Sequence, residues 1–65
     1  MDRIYVTTKR GRRALRDGSI SGEEAGIVQY IKDNKSASMA QLETIGERWI
    51  VKNLQRKKLI KELME

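Results

Sequence analysis

The sequence predicts a mainly helical α+β fold, with three to four helices and a short two-stranded antiparallel sheet. Three observations lead to this fold class: two serines open helix-capping patterns, apolar residues recur after them at helical spacing, and a β-branched run stands near the start of the chain. A chain of 65 residues is long enough for one small domain, which we expect to cover residues 1–65.

An N-terminal strand is predicted at residues 4–8 (IYVTT), which are all β-branched or aromatic. Alternation along this strand puts Ile4 and Val6 on one face. A lone strand would leave its backbone hydrogen-bonding groups unpaired. We therefore expect a partner strand at residues 59–63, antiparallel to residues 3–7, although helix propensity alone favours a continued helix there.

The first predicted helix covers residues 9–17, has Ala14 and Leu15 as its apolar contacts, and ends at Gly18. Its start is basic, because residues 9–13 read KRGRR. Backbone N–H groups at a helix start together with such cations are typical of a phosphate clamp, and a solvated basic turn is the alternative interpretation.

The second predicted helix opens at a capping box in which Ser21 is the N-cap and Glu24 stands three residues later. We expect this helix to run to about Asn34, where a polar loop begins. Its buried stripe consists of three residues at helical spacing, Ile27, Val28 and Ile31.

A second capping box, from Ser38 to Gln41, predicts a brief helix through Thr44, and Gly46 follows it. The next helix begins within a residue or two, near Glu47. Two short helices joined at a glycine are the layout of a helix-turn-helix. The brief helix has three residues at i, i+3 and i+6 that we expect in the core, Met39, Leu42 and Ile45.

The last predicted helix begins near residue 47, fades near residues 57–58 and presents two different sides. Ile50, Val51 and Leu54 form its apolar side. A core-facing helix normally presents charges of both signs to water, whereas this one presents cations, an amide and an indole, the groups that contact phosphates and base edges. The residues on that side are Arg48, Trp49, Lys52, Asn53 and Arg56.

The charges are unevenly distributed along the chain, whose formal net charge is +5. Residues 1–17 contain six cations and two acids, residues 18–46 two cations and four acids, and residues 47–65 six cations and three acids. Two basic ends that flank an acidic middle indicate one side that faces a polyanion and one that serves as scaffold. Solvated surface charge is the alternative.

Several classes of function are excluded by what the sequence lacks. The chain has no Cys and no His, which removes disulfides, thiol catalysis, His general bases and the usual zinc sites. No phosphate loop, nucleophile elbow or metal-ligand spacing occurs, and its acids fit helix caps better than catalytic groups. No apolar run is long enough to span a bilayer, and the N-terminus lacks a signal-peptide core. We therefore expect a cytoplasmic protein, associated with the nucleoid, that is not an enzyme and needs no cofactor or metal.

Residues 38–46 (SMAQLETIG) and 49–60 (WIVKNLQRKKLI) together resemble the helix-turn-helix core of winged-helix transcription regulators of the MarR and PadR type. In that family a short helix has a Leu near its start, as Leu42 is here, and the recognition helix ends in a Leu, as Leu54 is here. In the family, three residues of charged character, usually a Gly, and an apolar pair that begins the wing hairpin then follow. Here these positions are residues 55–57 (QRK), Lys58 and residues 59–60 (LI). The resemblance covers roughly residues 21–63 and implies a winged-helix-like domain that binds DNA.

The chain departs from the family pattern at two points. Lys58 stands where the family usually has Gly at the turn into the wing. No second wing strand follows residues 59–63, and the N-terminal strand is the candidate to take its structural place. The family's dimerisation helices have no counterpart either, so a homodimer or a protein partner is left open.

The function expected from these features is binding of double-stranded DNA, as a small transcriptional regulator or a chromatin-associated protein. The last helix would enter the major groove, and the basic N-terminal segment would lie on the phosphate backbone. A protein–protein interaction module with Trp49 as a hot spot and an RNA-binding accessory protein are the alternatives. The expected DNA-binding residues are Arg48, Trp49, Lys52, Asn53, Arg56, Lys57, Lys9, Arg10, Arg12 and Arg13.

Overall fold

Four helices and three strands form residues 3–63, the part of the chain that the computed structural model describes. The mainly helical α+β class is therefore confirmed, and the terminal residues of the predicted domain, 1–2 and 64–65, lie outside the described residues. In chain order the elements are β1 (Ile4–Thr7), α1 (Lys9–Asp17), α2 (Gly22–Asn34), β2 (Ala37–Ser38), α3 (Met39–Leu42), α4 (Arg48–Arg56) and β3 (Ile60–Leu63).

The sheet is antiparallel and has the order β2-β1-β3, so the N-terminal strand is central. The predicted pairing of the two terminal strands is confirmed, with Ile4 opposite Leu63 and Thr7 opposite Ile60. The prediction of two strands is wrong, because β2 adds a third strand whose Ser38 lies opposite Ile4. A two-residue strand is too short to show an alternating pattern, and Ser38 is also the N-cap of α3.

The core lies between the sheet and the helices, and Tyr5 of β1 is fully buried in it. Ile4 and Val6, which alternation puts on the opposite face of β1, are only half-buried. The predicted stripe of α2 and the apolar side of α4 are both confirmed as buried. The core residues are Tyr5, Ala14, Ile27, Val28, Ile31, Ala37, Leu42, Ile50, Val51, Leu54, Leu59 and Ile60.

The first two helices have the predicted extents, and α1 ends at Gly18, which adopts a left-handed φ of 71°. The capping box predicted at Ser21 is wrong, because its side chain makes no capping hydrogen bond. The adjacent Gly22 adopts a left-handed φ of 63°, so the chain enters α2 without the regular first turn on which a capping box depends.

The predicted brief helix is shorter than expected and ends at Leu42. Its capping box is confirmed: Ser38 Oγ accepts from Gln41 N, and Gln41 Oε1 accepts from Ser38 N. Leu42 is buried and Met39 is half-buried against the core, but the prediction of Ile45 as a core residue is wrong. Residues 43–45 form a turn, so helical spacing no longer holds there and the side chain is exposed.

The end of α4 is held against the start of α1 by a group of backbone contacts. Lys58 N donates to Gln55 O and Leu59 N to Leu54 O, both at 3.0 Å, which is the Schellman pattern of a helix end. This pattern requires a left-handed residue, and Lys58 supplies it with a φ of 64°. Leu59 O in turn accepts from Thr8 N at 3.1 Å, so the exit of α4 and the entry of α1 are directly joined.

Gly11 makes this junction possible, because α1 approaches the chain after α4 at backbone contact distance. A Cβ atom at Gly11 would lie 2.1 Å from Leu59 O and 3.0 Å from Thr7 Cγ2. Only glycine fits such an approach. Thr8 completes the junction, since its hydroxyl accepts from Gly11 N at 3.1 Å and donates to Lys58 O at 2.7 Å.

Candidate nucleic-acid interface

The exposed side of α4 consists of two parallel rows of side chains. Residues four apart lie nearly above one another on a helix, because each residue turns the chain by about 100°. The first row is Arg48, Lys52 and Arg56, and the second row is Trp49, Asn53 and Lys57. All six were expected to contact DNA, and the structure places the two rows in different surroundings.

The first row faces solvent along its whole length, since Arg48, Lys52 and Arg56 are all exposed. Arg48 donates to Glu43 Oε1 through Nη2 at 2.7 Å and through Nε at 3.0 Å. Both side chains of this ion pair remain well exposed, so it contributes little stability and leaves Arg48 free to exchange its partner. Lys52 and Arg56 form no ion pair within residues 3–63.

The second row lies beside the carboxylates that begin α2 and α4. Glu24 Oε2 accepts from Lys57 Nζ at 3.1 Å and from Asn53 Nδ2 at 3.5 Å. The Trp49 indole N–H donates to the Glu47 carboxylate, and the Trp49 side chain is 63% exposed. Negative charge next to these three residues opposes the approach of a phosphate.

The four basic residues of α1 that were expected to contact DNA also have two different positions. Arg10 and Arg13 line a shallow depression of about 310 Å³ together with Lys57, whereas Lys9 and Arg12 are exposed on α1 outside it. The expected help from backbone N–H groups is reduced, because Gly11 N already donates to the Thr8 hydroxyl. The start of α1 therefore offers an anion its side chains more than its backbone N–H groups.

Sequence reasoning missed four residues that position these cations: Thr8, Gly11, Glu24 and Lys58. Thr8 precedes a helix and is a preferred N-cap type, so its role carried a readable signal. Gly11 matters because of a backbone approach that no local pattern reveals. Lys58 adopts a left-handed φ, for which the Gly usual at this position in the resembled family was a signal. Glu24 was assigned to a cap, whereas its carboxylate holds two side chains of α4.

Residues 3–63 contain no cluster of three or more side chains suited to hold a metal ion. None of the helices in that range combines the length and the apolar character needed to cross a membrane. Comparisons with models of protein families, with characterised proteins and with solved structures found no match to this chain.

Proposed function

We propose that the protein binds double-stranded DNA through the first row of α4, Arg48, Lys52 and Arg56. The observation that carries the proposal is a continuous line of three exposed cations, about 12 Å long, on a helix whose opposite side is buried. The major groove is about 12 Å wide and admits one α-helix. Side chains of this type at this spacing reach phosphates and guanine edges there.

The scaffold around α4 supports the proposal. A single helical turn, α3, is followed by a short connection and then α4, as in a helix-turn-helix. A Cβ atom at Gly46 would lie 3.0 Å from Ile27 Cδ1, so this connection packs closely against α2 and orients the start of α4. The central position of β1 supports the idea that the N-terminal strand takes the place of a second wing strand.

The charge distribution supports a polyanionic partner. The formal net charge is +5, and Lys9 and Arg12, which are exposed on α1, add to the cations of α4. The proposed cellular role is that of a small transcriptional regulator or chromatin-associated protein, which acts by binding and not by catalysis. Electrostatic attraction between these cations and the DNA phosphates predicts that binding depends strongly on salt concentration.

A salt-dependent titration tests the proposal. Binding of the purified protein to a short labelled DNA duplex is measured by fluorescence anisotropy between about 50 and 200 mM salt, with an RNA duplex of the same length in parallel. Three phosphate contacts predict a slope of log affinity against log salt of about −2.7. Lys52→Ala should weaken DNA binding about tenfold and reduce the slope by about 0.9.

Lys32→Ala is the matched control, because it removes one cation from an exposed position of α2 and should leave DNA binding nearly unchanged. Equal losses in the two variants would mean that only net charge matters and would refute a specific role for α4. Tighter binding to the RNA duplex would favour the RNA-binding alternative.

A further inference from the structure

The second row of α4 borders an acidic groove that the proposed DNA contact does not use. This groove, of about 400 Å³, lies between the start of α2 and α4, and its lining includes Glu23, Glu24, Trp49 and Asn53. Glu23 Oε2 lies only 3.6 Å from where a Cβ of Gly46 would stand, which places this carboxylate at the same end as Trp49. Exposed indole and carboxylate together favour an arginine, whose guanidinium stacks on the ring while it donates to the acid.

The other end of the same flank is basic. Its depression, lined by Arg10, Arg13 and Lys57 and by one acidic residue, Asp17, lies where α1 meets the exit of α4. No carboxylate within residues 3–63 forms an ion pair with Arg10 or Arg13, so the acidic groove of the same molecule does not neutralise them.

The two depressions are complementary to each other in a symmetric way. Trp49 and Lys57 are eight residues apart, so they stand about 12 Å apart along α4, with Asn53 midway. Consider a two-fold axis that is perpendicular to α4 and passes near Asn53. It would place the basic end of each copy against the acidic end of the other, so the same contact would form twice. A surface that is complementary to itself in this manner is the requirement for a closed dimer.

We propose that the flank formed by the second row of α4, with Glu23 on one side and Arg10 and Arg13 on the other, is the contact surface of a two-fold homodimer. The first and second rows are about 100° apart on the helix, so a partner on one leaves the other open. The carboxylates in the groove repel a phosphate backbone. The α1 arginines of a second copy have the positive charge and the planar guanidinium group that suit the groove.

Sedimentation equilibrium of the DNA-free protein, up to about 1 mM, tests this proposal independently of any DNA binding. We expect a monomer–dimer equilibrium. Trp49→Ala should raise the dissociation constant at least about tenfold, because a tryptophan that a partner covers is typically a hot spot. Arg56→Ala on the first row is the control and should leave the constant unchanged.

A charge exchange separates a direct contact from a loss of folding. Glu23→Arg and Arg13→Glu should each give a monomer, because each brings like charges together across the axis. An equimolar mixture of the two variants, or the double variant, should dimerise again, and the double variant keeps the net charge and composition of the original chain.

The single tryptophan of the chain reports on the same surface. Its emission should shift to shorter wavelength as the dimer forms. Three results would each overturn the proposal. The protein could remain monomeric at all concentrations, the emission could stay unchanged when the dimer forms, or the double variant could stay monomeric.

Discussion

The two rows of α4 differ both in composition and in their neighbours, since the first consists of three cations and the second of an indole, an amide and one cation. Within residues 3–63, the first row, Arg48, Lys52 and Arg56, has one acidic partner, Glu43, which pairs with Arg48 at the N-terminal end of the row. The second row, Trp49, Asn53 and Lys57, lies against carboxylates from α2 and from the helix's own N-cap. The carboxylate of Glu24 offsets the one cation of the second row, whereas the first row keeps two cations that form no ion pair within residues 3–63.

The largest effect is expected from a substitution at the junction of α1 with the chain after α4, directly beyond the second row. Gly11→Ala would force its Cβ against Leu59 O, which already accepts a hydrogen bond from Thr8 N. We expect a loss of about 3 kcal/mol in the free energy of unfolding, despite the better helix propensity of alanine. Urea denaturation measures this loss.

Gly26→Ala is the control for helix propensity, because Gly26 is an exposed residue of α2. Apart from the chain neighbours and the nearby backbone of the same helix, no atom lies within 4 Å of an added Cβ. That variant should be more stable, by up to about 1 kcal/mol. A Gly11→Ala protein as stable as Gly26→Ala would contradict the close approach of α1 to the chain after α4.

A smaller effect is expected where α4 ends. Lys58→Gly should raise the free energy of unfolding by about 1 kcal/mol, because a left-handed φ of 64° is strained for a residue with a Cβ. Lys58→Ala removes the same charge but keeps the Cβ, so its stability should remain near that of the original protein. Thermal unfolding of both variants separates strain from charge, and an equal gain in both would assign the effect to charge.

The smallest effect is expected when the acidic partners of the two rows are neutralised. Glu43→Gln releases Arg48 and should raise DNA affinity about threefold, since exposed ion pairs contribute less than about 1 kcal/mol. Glu24→Gln releases Lys57 in the second row, and DNA affinity should change less. Anisotropy titrations at one low salt concentration suffice for this comparison. A larger gain from Glu24→Gln would reverse the roles assigned to the two rows.

Much of the fold was predictable because local signals agreed with tertiary packing. The bounds of α1 and α2, the capping box at Ser38 and the pairing of the terminal strands all follow from capping, periodicity and the need to pair backbone groups. The predictions for Ile45 and for the number of strands failed for one reason. An argument from periodicity needs several residues of regular structure, and neither the turn at Ile45 nor the two-residue β2 has them.

The candidate site was predictable only as a set of residues on one side of α4. Its division into two rows depends on Glu24, which is 29 residues from Asn53 in the chain and 33 from Lys57. The junction of Thr8 and Gly11 with Leu59 spans about fifty residues. Contacts of such separation leave no pattern in a single sequence.

The most direct test of the account compares two double variants, one from each row, in their binding to duplex DNA over a range of salt. Protein concentrations are kept below those at which the free protein dimerises. Lys52→Ala with Arg56→Ala should reduce the slope of log affinity against log salt by about 1.8, the value for two lost phosphate contacts. Trp49→Ala with Asn53→Ala should leave that slope unchanged. An unchanged slope in the first double variant together with weakened binding in the second would contradict the assignment of DNA to the first row.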